Sequence, residues 1–395
     1  MNGPLDGVVI ADFSQLLQGP FATQAMADLG ARVIKIEPLG GDWTRSYAML
    51  NAYPGGESVS YLAFNRNKES IAIDLKSEEG LALARSIILQ ADVVVENFRP
   101  GVMDRLGIGY EASKADNPGL VYVASSGFGV DGPYAKRPGQ DLLAQSVAGL
   151  PHLQGDADDP PVPVGVSAAD VSASLHIIYG TLAALVERAR TGLGQRVDVS
   201  LLNSIIAFQT QEFVAAMAAP TPPQRPENGA GNAFTGAPYG IYRTRDGWIA
   251  IAMTPLKLIA EVLGIPELAH EESKNVMDGR DAVKPLIDAK TAEWERDALL
   301  DELLRHDVWC APVNDFVDVP NDPQVVHNRM FRTVEHPLAG EVTLVAPPIR
   351  FSNQQTERFD APPLLGADSR RIAEEFGGMD AATADSLIEK GVLRG

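Results

Sequence analysis

Short apolar runs alternate with helical patterns through the first third of the chain. The runs typical of buried strands are GVVIADF, ARVIKIE, SIAIDL, DVVVENF and LVYVASSGF. Between them, FATQAMADLG predicts a short helix that ends at Gly30, and Ser77 is predicted to cap the helix EEGLALARSIILQA. Helices that alternate with continuously apolar strands predict an α/β fold, in which helices cover both faces of a parallel sheet.

The pattern changes in the middle of the chain. Apolar residues at helical spacing predict one long helix, which we expect to end at Gly192. The stretch GQRVDVSLLNS then alternates as a strand, and residues 220–232, rich in proline and glycine, predict a linker. A hairpin that turns at Asp246 and Gly247 follows it, and helical patterns come next. We therefore expect a second, smaller α+β domain over residues 225–330.

The charge of the chain excludes some classes of partner. The 395 residues carry a formal net charge of −19. A surface that acidic repels nucleic acids and anionic membranes, so we expect neither as a partner. The first residues lack the basic and apolar segments of a signal peptide, and no apolar run approaches the ~20 residues that span a bilayer. We therefore expect a cytoplasmic protein.

Cysteine and histidine give no indication of a metal site. Cys310 is the only cysteine, and the six histidines show neither HExxH nor HxH spacing. A disulfide within the chain is therefore impossible, and a zinc site is not expected. We expect no metal and no tightly bound cofactor.

One glycine-rich stretch resembles a dinucleotide-binding motif. GFGVDG, at 127–132, matches GxGxxG and follows a predicted strand. The next residues, PYAKRPGQD, place two prolines and a glycine where the phosphate-binding helix should begin. The sequence therefore argues against a dinucleotide site here.

A single carboxylate stands where the long helix begins. Asp170 follows Ser167, Ala168 and Ala169 and precedes an apolar run. One interpretation is a helix N-cap, which contributes about 1 kcal/mol to stability. The other is a nucleophile surrounded by small residues that leave room for a substrate. The two roles are compatible, because a helix N-terminus favours the ionised carboxylate and only that form is nucleophilic.

Several stretches along nearly the whole chain resemble one family. Among them are FNRNKESIAIDLKSEEG, ADVVVENFRPGVMDRLGIGYE, SSGFGVDGPYAKRPGQDLLAQSVAGL and AALVERARTGLGQRVDVSLL. They are similar to the class III CoA-transferases, the group of formyl-CoA transferase, carnitine CoA-transferase and 2-methylacyl-CoA racemase. The resemblance implies a large domain with a Rossmann-like parallel sheet, built from residues 1–224 and 331–395 around the smaller domain. It also implies a homodimer whose two chains interlock like links.

The resemblance implies a role for Asp170 and a substrate for the site. In the transferases of this family, an aspartate just ahead of the GxxAALxxRxxTGxGQ helix is the nucleophile, and Asp170 occupies that place. The implied substrates are an acyl-CoA and a small carboxylic acid. The residues expected to bind coenzyme A are Ile73, Leu75, Lys76, Asn97, Phe98, Arg99, Arg105, Lys136 and Arg137.

The expected roles of these residues differ. Phe98 is expected to face the adenine, and Lys76 and Arg105 to contact phosphates, although solvated surface charge is an equally plain interpretation of both cations. Some family members carry an arginine where this chain has Pro38 and Leu39. Lys136 and Arg137 are the alternative phosphate contacts.

A racemase is the main alternative function. Racemisation needs an acid or base on each face of the α-carbon, and the family's racemases carry histidine where this chain has Gln140. Glutamine has no titratable proton near neutral pH, although it can orient a carbonyl, and the adjacent Asp141 could support the site. We therefore expect a transferase that uses Asp170 and Gln140. A non-catalytic acyl-CoA-binding protein is a further alternative.

Overall fold

The computed structural model describes residues 3–273, 275–353 and 358–395 and divides into two compact units. The sheet unit comprises the chain up to Ala144, Ser167–Phe208 and Pro323–Gly395. The small unit comprises Gln145–Val166 and Gln209–Asp322. These boundaries differ from the predicted ones at 224 and 330.

The segment that was predicted to be a linker lies inside the small unit. Within the small unit, residues 220–232 are fixed to residues 154–159 by hydrogen bonds. The Ala157 amide donates to the Pro226 carbonyl at 2.7 Å, and the Arg225 guanidinium donates to the Asp159 carbonyl. The segment is therefore an ordered part of the small unit, although its proline and glycine content is typical of a linker.

The strands and helices follow one another largely in the predicted order. The strands are β1 (Val9–Asp12), β2 (Arg32–Glu37), β3 (Lys68–Ile73), β4 (Val93–Glu96), β5 (Val121–Ser126), β6 (Arg196–Ser200), β7 (Gly240–Arg243), β8 (Trp248–Ile251), β9 (Cys310–Pro312), β10 (Phe331–His336), β11 (Gly340–Val345) and β12 (Leu393–Arg394). The helices are α1 (Gln18–Asp28), α2 (Val59–Leu62), α3 (Glu78–Gln90), α4 (Val102–Arg105), α5 (Tyr110–Asp116), α6 (Asp141–Val147), α7 (Ala168–Thr191), α8 (Leu201–Phe208), α9 (Thr210–Ala218), α10 (Leu256–Leu263), α11 (Arg280–Thr291), α12 (Arg296–Arg305), α13 (Pro323–His327), α14 (Ser369–Gly377) and α15 (Ala381–Glu389).

The sheet unit is built on a seven-stranded sheet in the order β12-β3-β2-β1-β4-β5-β6. All neighbours pair in parallel except β12, which pairs antiparallel with β3. The predicted α/β class with a mostly parallel sheet is therefore confirmed. The order of β3 to β6 is that of a doubly wound Rossmann-like sheet, in which the strand order reverses between β1 and β4.

The two faces of this sheet differ in chemistry. The face under α3 and α14 is apolar, with Ile34 and Ile36 of β2 packed among buried side chains of those helices. The opposite face of β2 carries Lys35 and Glu37, which are also buried. The pattern VIKIE is thus a buried strand as predicted, but only one of its faces is apolar. The lysine and glutamate were not expected inside, because burial of a charge requires partners.

Those partners come from neighbouring strands and loops. The Lys35 Nζ is 2.8 Å from an Asp42 carboxylate oxygen and also donates to the Ser14 carbonyl at 2.8 Å. The Lys68 Nζ lies 3.1 Å from Asp12, and all four of these charged side chains are fully or almost fully buried. Although burial alone raises the pKa of Asp12, Lys68 and Lys35 hold it below the ordinary value.

Helix boundaries agree with some sequence signals and not with others. Ser77 caps α3 as predicted, since its hydroxyl accepts from the Gly80 amide at 3.0 Å. The long helix ends at Gly192 in a left-handed conformation, also as predicted. The strand predicted from GQRVDVSLLNS ends at Ser200, and the next residues form α8.

Helix α7 is long and apolar enough to cross a membrane by length and composition. The expectation that no apolar segment is long enough to span a bilayer is therefore not met by this helix. The helix packs against α1, α8 and the strands β5 and β6, which is the setting of a core helix.

The small unit has its own sheet and core. Strands β7, β8 and β9 form an antiparallel sheet, and the predicted hairpin joins β7 to β8 through residues 244–247. Side chains of α10, α11 and α12 pack with those strands around Ile249, Ile251 and Ile287.

Candidate functional site

Asp170 lies in the first turn of α7, but it is not the N-cap. The helix begins at Ala168, the N-cap position is Ser167, and Asp170 is the third helical residue. The Ser167 side chain makes no capping hydrogen bond. The N-cap interpretation of Asp170 is therefore wrong, and another group must satisfy the first amides of the helix.

That group is Asp141, the first residue of α6. One of its carboxylate oxygens accepts from the Ala169 amide at 2.8 Å and from the Asp170 amide at 3.2 Å. Asp141 is thus the cap of α7, although it stands 28 residues or more before the amides that it binds. It was noted in the sequence only as the neighbour of Gln140, because capping signals are read from adjacent residues.

Close packing of two glycines holds Asp141 at the end of β5. A Cβ added to Gly127 would lie 2.3 Å from the Cα of Gly139, and the reverse contact is equally short. The start of the GFGVDG loop and the glycine of RPGQD therefore touch backbone to backbone. No helix begins between Gly127 and Gln140, as the proline-rich sequence predicted for this segment.

The carboxylate of Asp170 is largely buried and receives no hydrogen bond from any of the described residues. Burial, and after it the negative charge of Asp141, raises the pKa of Asp170 to about 7. From the sequence, the helix N-terminus was expected to favour the ionised form of Asp170. In the structure, burial and the neighbouring carboxylate outweigh that effect, since both favour the neutral form.

Further hydrogen bonds fix the turn that carries Asp170. The Ser174 hydroxyl lies 2.8 Å from the Asp170 carbonyl and 2.7 Å from the Gln18 carbonyl, at the start of α1. The Gln18 side chain accepts in turn from the Ser125 hydroxyl at 2.7 Å. Gln18, Ser125 and Ser174 carry no local signal in the sequence, because each acts through a partner more than a hundred residues away.

Gln140 is exposed and lies directly before Asp141. Its side-chain oxygen accepts from the Leu142 amide at 3.1 Å, within the first turn of α6. The chain thus brings Gln140 next to the group that caps α7. The amide nitrogen of its side chain has no hydrogen-bond partner among the described residues.

Asn97 and Phe98 lie at the switch point of the sheet, just beyond β4. The Asn97 side chain accepts from the Gln15 amide at 2.8 Å and donates to the Gln15 carbonyl at 2.7 Å. Asn97 therefore ties the loop after β4 to the loop after β1. Ligands of doubly wound sheets bind in the crevice between two such loops.

The basic residues expected to contact phosphates are exposed. Lys76, Arg99, Arg105 and Lys136 form no ion pair with a carboxylate among the described residues, and the Arg137 guanidinium stacks over the Tyr134 ring at 3.5 Å. Among the expected apolar contacts, Leu75 is partly buried. Ile73 is only 1% exposed and belongs to the apolar core, so its side chain faces away from any ligand at the surface.

No cluster of three or more His, Cys, Asp or Glu side chains is placed to hold a metal ion in the described part of the chain. A further glycine-rich stretch, NGAGNAFTGAP at residues 228–238, belongs to the small unit. Its Asn232 side chain accepts from the Phe234 and Thr235 amides, so the loop is ordered by its own hydrogen bonds.

A family model and individual relatives of known activity match this chain over most of its length. The model of CoA-transferase family III matches residues 5–369. Succinyl-CoA:glutarate CoA-transferase of Mus musculus is 32% identical over 399 residues, which cover 99% of this chain and 90% of the relative. Acetyl-CoA:oxalate CoA-transferase of Acetobacter aceti is 34% identical, and the alignment covers 96% of this chain and 97% of the relative.

A solved structure has the same fold. The crystal structure of a CAIB/BAIF family protein from Brucella suis matches with a TM-score of 0.85 at 35% identity, and the match covers 95% of this chain and all of that one. The family match over most of the length, together with relatives above 30% identity across nearly the whole chain, shows that this chain belongs to CoA-transferase family III.

Proposed function

We propose that the protein transfers coenzyme A from an acyl-CoA thioester to a carboxylic acid, with Asp170 as the nucleophile. The observation that carries this proposal is the Asp170 carboxylate, which is largely buried at a helix start and accepts no hydrogen bond from the described residues. A carboxylate without donors keeps its lone pairs available for attack on a carbonyl carbon.

The reaction consists of two successive transfers of CoA, first from the donor acyl group to the Asp170 carboxyl group and then from Asp170 to the acceptor acid. Asp170 attacks the thioester carbonyl, the C–S bond breaks, and a mixed anhydride and CoA thiolate result. The thiolate then attacks the aspartyl carbonyl, releasing the donor acid and leaving an aspartyl thioester. The acceptor carboxylate reverses these steps, forming a new anhydride and then a new thioester, and Asp170 is regenerated.

The raised pKa of Asp170 makes this exchange less unfavourable. An ordinary aspartate with a pKa of about 3.9 displaces a thiol of about 8.5, a gap of about 4.6 units or about 6 kcal/mol. With the pKa of Asp170 at about 7, the gap falls to about 1.5 units, or about 2 kcal/mol. The rest can come from binding of the remote nucleotide portion of CoA.

The raised pKa also lowers the fraction of Asp170 that is ionised. Only the ionised carboxylate attacks, and near pH 7 about half of the molecules carry the proton. Burial is the main cause of the raised pKa, and we propose that Asp141 adjusts this balance further, because it caps α7 and its charge also raises the pKa of Asp170.

The substrates are proposed only by class. The named relatives exchange CoA between succinyl-CoA and glutarate, or acetyl-CoA and oxalate. We propose a small acid, with a dicarboxylate as the first acceptor to test. A screen of CoA thioesters against mono- and dicarboxylic acids, analysed by mass spectrometry, identifies the pair.

The phosphates of CoA are proposed to bind exposed cations in the segments that follow β3, β4 and β5. Lys76, Arg99, Arg105 and Lys136 have no carboxylate partner among the described residues, in a chain whose net charge is −19. Acidic side chains are abundant, so cations that remain unpaired are available to an anionic ligand. No tightly bound cofactor is needed for this chemistry.

A homodimer is proposed from an apolar stripe on α7. Val171, Leu175, Tyr179 and Val186 follow one another at helical spacing and are all exposed in the single chain, Val186 at 74%. We propose that a second copy of the chain covers this stripe, as the family resemblance implies. Interlocking of the two chains and a cytoplasmic location both stay predictions.

Asp170 should carry a covalent adduct. We expect incubation with a competent acyl-CoA, without acceptor acid and followed by hydroxylamine, to modify only the peptide that contains Asp170. The reason is that hydroxylamine attacks anhydrides and thioesters but not free carboxylates. Peptide mass mapping measures the modification. Asp170→Asn should show none and should lose at least a thousandfold in transfer rate.

Asp116→Asn, which alters an exposed carboxylate on α5, serves as the control and should behave as wild type. A parallel incubation in deuterated water tests the racemase alternative, since Gln140 has no proton to exchange. Fast deuterium exchange at the α-carbon without an adduct on Asp170 would show that the protein is a racemase.

Removing the charge of Asp141 should shift the pH dependence of the reaction. The wild-type rate of adduct formation is expected to rise as the pH rises through about 7, because Asp170 must lose its proton. In Asp141→Asn the neighbouring charge is gone, so the pKa of Asp170 falls and the midpoint moves to lower pH. Stopped-flow rates between pH 5 and 9 measure this, and an unchanged midpoint contradicts the role of Asp141.

Arg105→Ala should weaken binding and leave the chemistry intact. Loss of a charge-assisted contact to a phosphate is expected to raise the KM for acyl-CoA about tenfold or more, with kcat within twofold. Calorimetry with free CoA should show the same loss of affinity. Lys390→Ala, an exposed cation near the chain end, is the control, and equal affinities in the two variants would place Arg105 outside the CoA site.

The apolar stripe of α7 should hold the dimer together. In the double variant Tyr179→Glu with Val186→Glu, charge at both positions is expected to dissociate the dimer into folded monomers, because a buried unpaired charge is costly. Analytical ultracentrifugation measures the mass, and Ala82→Glu on the exposed side of α3 is the matched control. A doubly substituted protein that remains dimeric places the interface elsewhere.

A further inference from the structure

The sheet unit contains a cavity of about 210 Å³ whose lining shares Phe98 with the proposed CoA site. It lies beside the loop that follows β4 and is lined by Glu96, Phe98, Tyr110, Tyr122, Val130 and Arg196, among others. Asp170, Asp141 and the cations proposed to bind phosphates are absent from its lining.

The cavity opens on the face of the sheet opposite α7. Side chains alternate between the two faces along each strand. Val197 of β6 lies against Gly180 of α7, so its neighbour Arg196 faces the other side. Arg196 is in register with Tyr122 of β5, and Tyr122 belongs to the apolar core under α3.

Tyr122 contributes a polar atom to the wall of the cavity. Its side chain is 2% exposed, yet its hydroxyl has no hydrogen-bond partner among the described residues, although it lines the cavity. Burial raises the pKa of Tyr122, and the charge of Glu96 raises it further, so the hydroxyl keeps its proton.

The charges around the cavity leave an excess of carboxylate. One oxygen of Glu96 accepts from the Phe98 amide at 2.8 Å, and the other has no donor among the described residues. Asp104 also lines the cavity. Among the described residues, Arg196 is the only cation in the lining, and its guanidinium is bound to Asp198 at 2.9 Å. Burial, together with Asp104 and Asp198, raises the pKa of Glu96 to about 7.

We propose that this cavity binds a small organic cation, an ammonium or amidinium group on an aromatic or aliphatic body. The cationic group donates to Glu96 and Asp104, and Tyr122 supplies a further polar contact. The body packs against Phe98 and the edge-to-face pair of Tyr110 and Tyr122, whose ring centroids are 5.9 Å apart. Aromatic faces attract cations as well as apolar groups. The proposal does not depend on the transferase function.

Three probes that share a phenyl ring and differ in charge test the proposed cation site on the full chain. We expect benzylammonium to bind at pH 8 at least tenfold more tightly than benzyl alcohol, and benzoate not to bind, as measured by ligand-observed NMR titration. Binding should weaken between pH 8 and pH 6, because protonation of Glu96 removes the charge that attracts the probe.

Variants locate the probe. Glu96→Gln should weaken benzylammonium binding at least tenfold and Tyr122→Phe several-fold, whereas Glu389→Gln, at the opposite edge of the sheet, should change nothing. Thermal unfolding confirms that each variant is folded. Equal binding of benzylammonium and benzyl alcohol to the wild type overturns the proposal, and so does a full loss of probe binding when CoA is added, since the cavity would then belong to the CoA site.

Discussion

The arrangement of the site depends on one buried carboxylate, Asp12, and on the two lysines that compensate its charge. Lys68 and Lys35 make the ionised form of Asp12 tolerable in the interior, and Lys35 also binds the carbonyl of Ser14. The loop between β1 and α1 is thereby fixed at its first residues. Because that loop leads directly into α1, the ion cluster also fixes Gln18, which holds the first turn of α7 through Ser174. Replacing one member of such a cluster costs about 3–5 kcal/mol, since the remaining charges stay buried without a partner.

The chemistry of Asp170 follows from a competition between two effects at the helix start. The helix dipole favours an ionised carboxylate by about 0.3–1 kcal/mol at exposed positions. Burial and, after it, the charge of Asp141 act in the other direction and raise the pKa of Asp170 to about 7. This outcome suits an exchange between a carboxylate and a thiol, because the two leaving groups become closer in basicity. A strongly acidic aspartate would form the anhydride less readily, and a fully protonated one would not attack at all.

Local signals in the sequence were sufficient for the sheet and for several helix ends. The strands β1 to β5 are short apolar runs, and Ser77 caps the helix that begins beside it. What escaped prediction depends on partners that are distant in the sequence. Lys35 is polar in the pattern yet buried in the structure, because Asp42 and Asp12 neutralise it. Asp141 caps a helix that begins 27 residues later, and no rule based on adjacent residues connects the two. The segment 220–232 has the composition of a linker, but Arg225 fixes it within the small unit.

The distribution of unpaired charge gives the two faces of the sheet different ligand preferences. In the segments that follow β3, β4 and β5, exposed cations remain without carboxylate partners among the described residues, despite the net charge of −19. On the face of β4 to β6 that α3 covers, carboxylates are in excess. Glu96 and Asp104 line the cavity there, and Arg196, the one cation among the described lining residues, is already bound to Asp198. An anion such as a CoA phosphate is attracted to the first region and repelled from the second. Phe98 belongs to both, because it follows β4 at the switch point and also lines the cavity. A ligand in the cavity would therefore contact a residue that the CoA site is proposed to use, which gives the two sites a direct physical route for coupling.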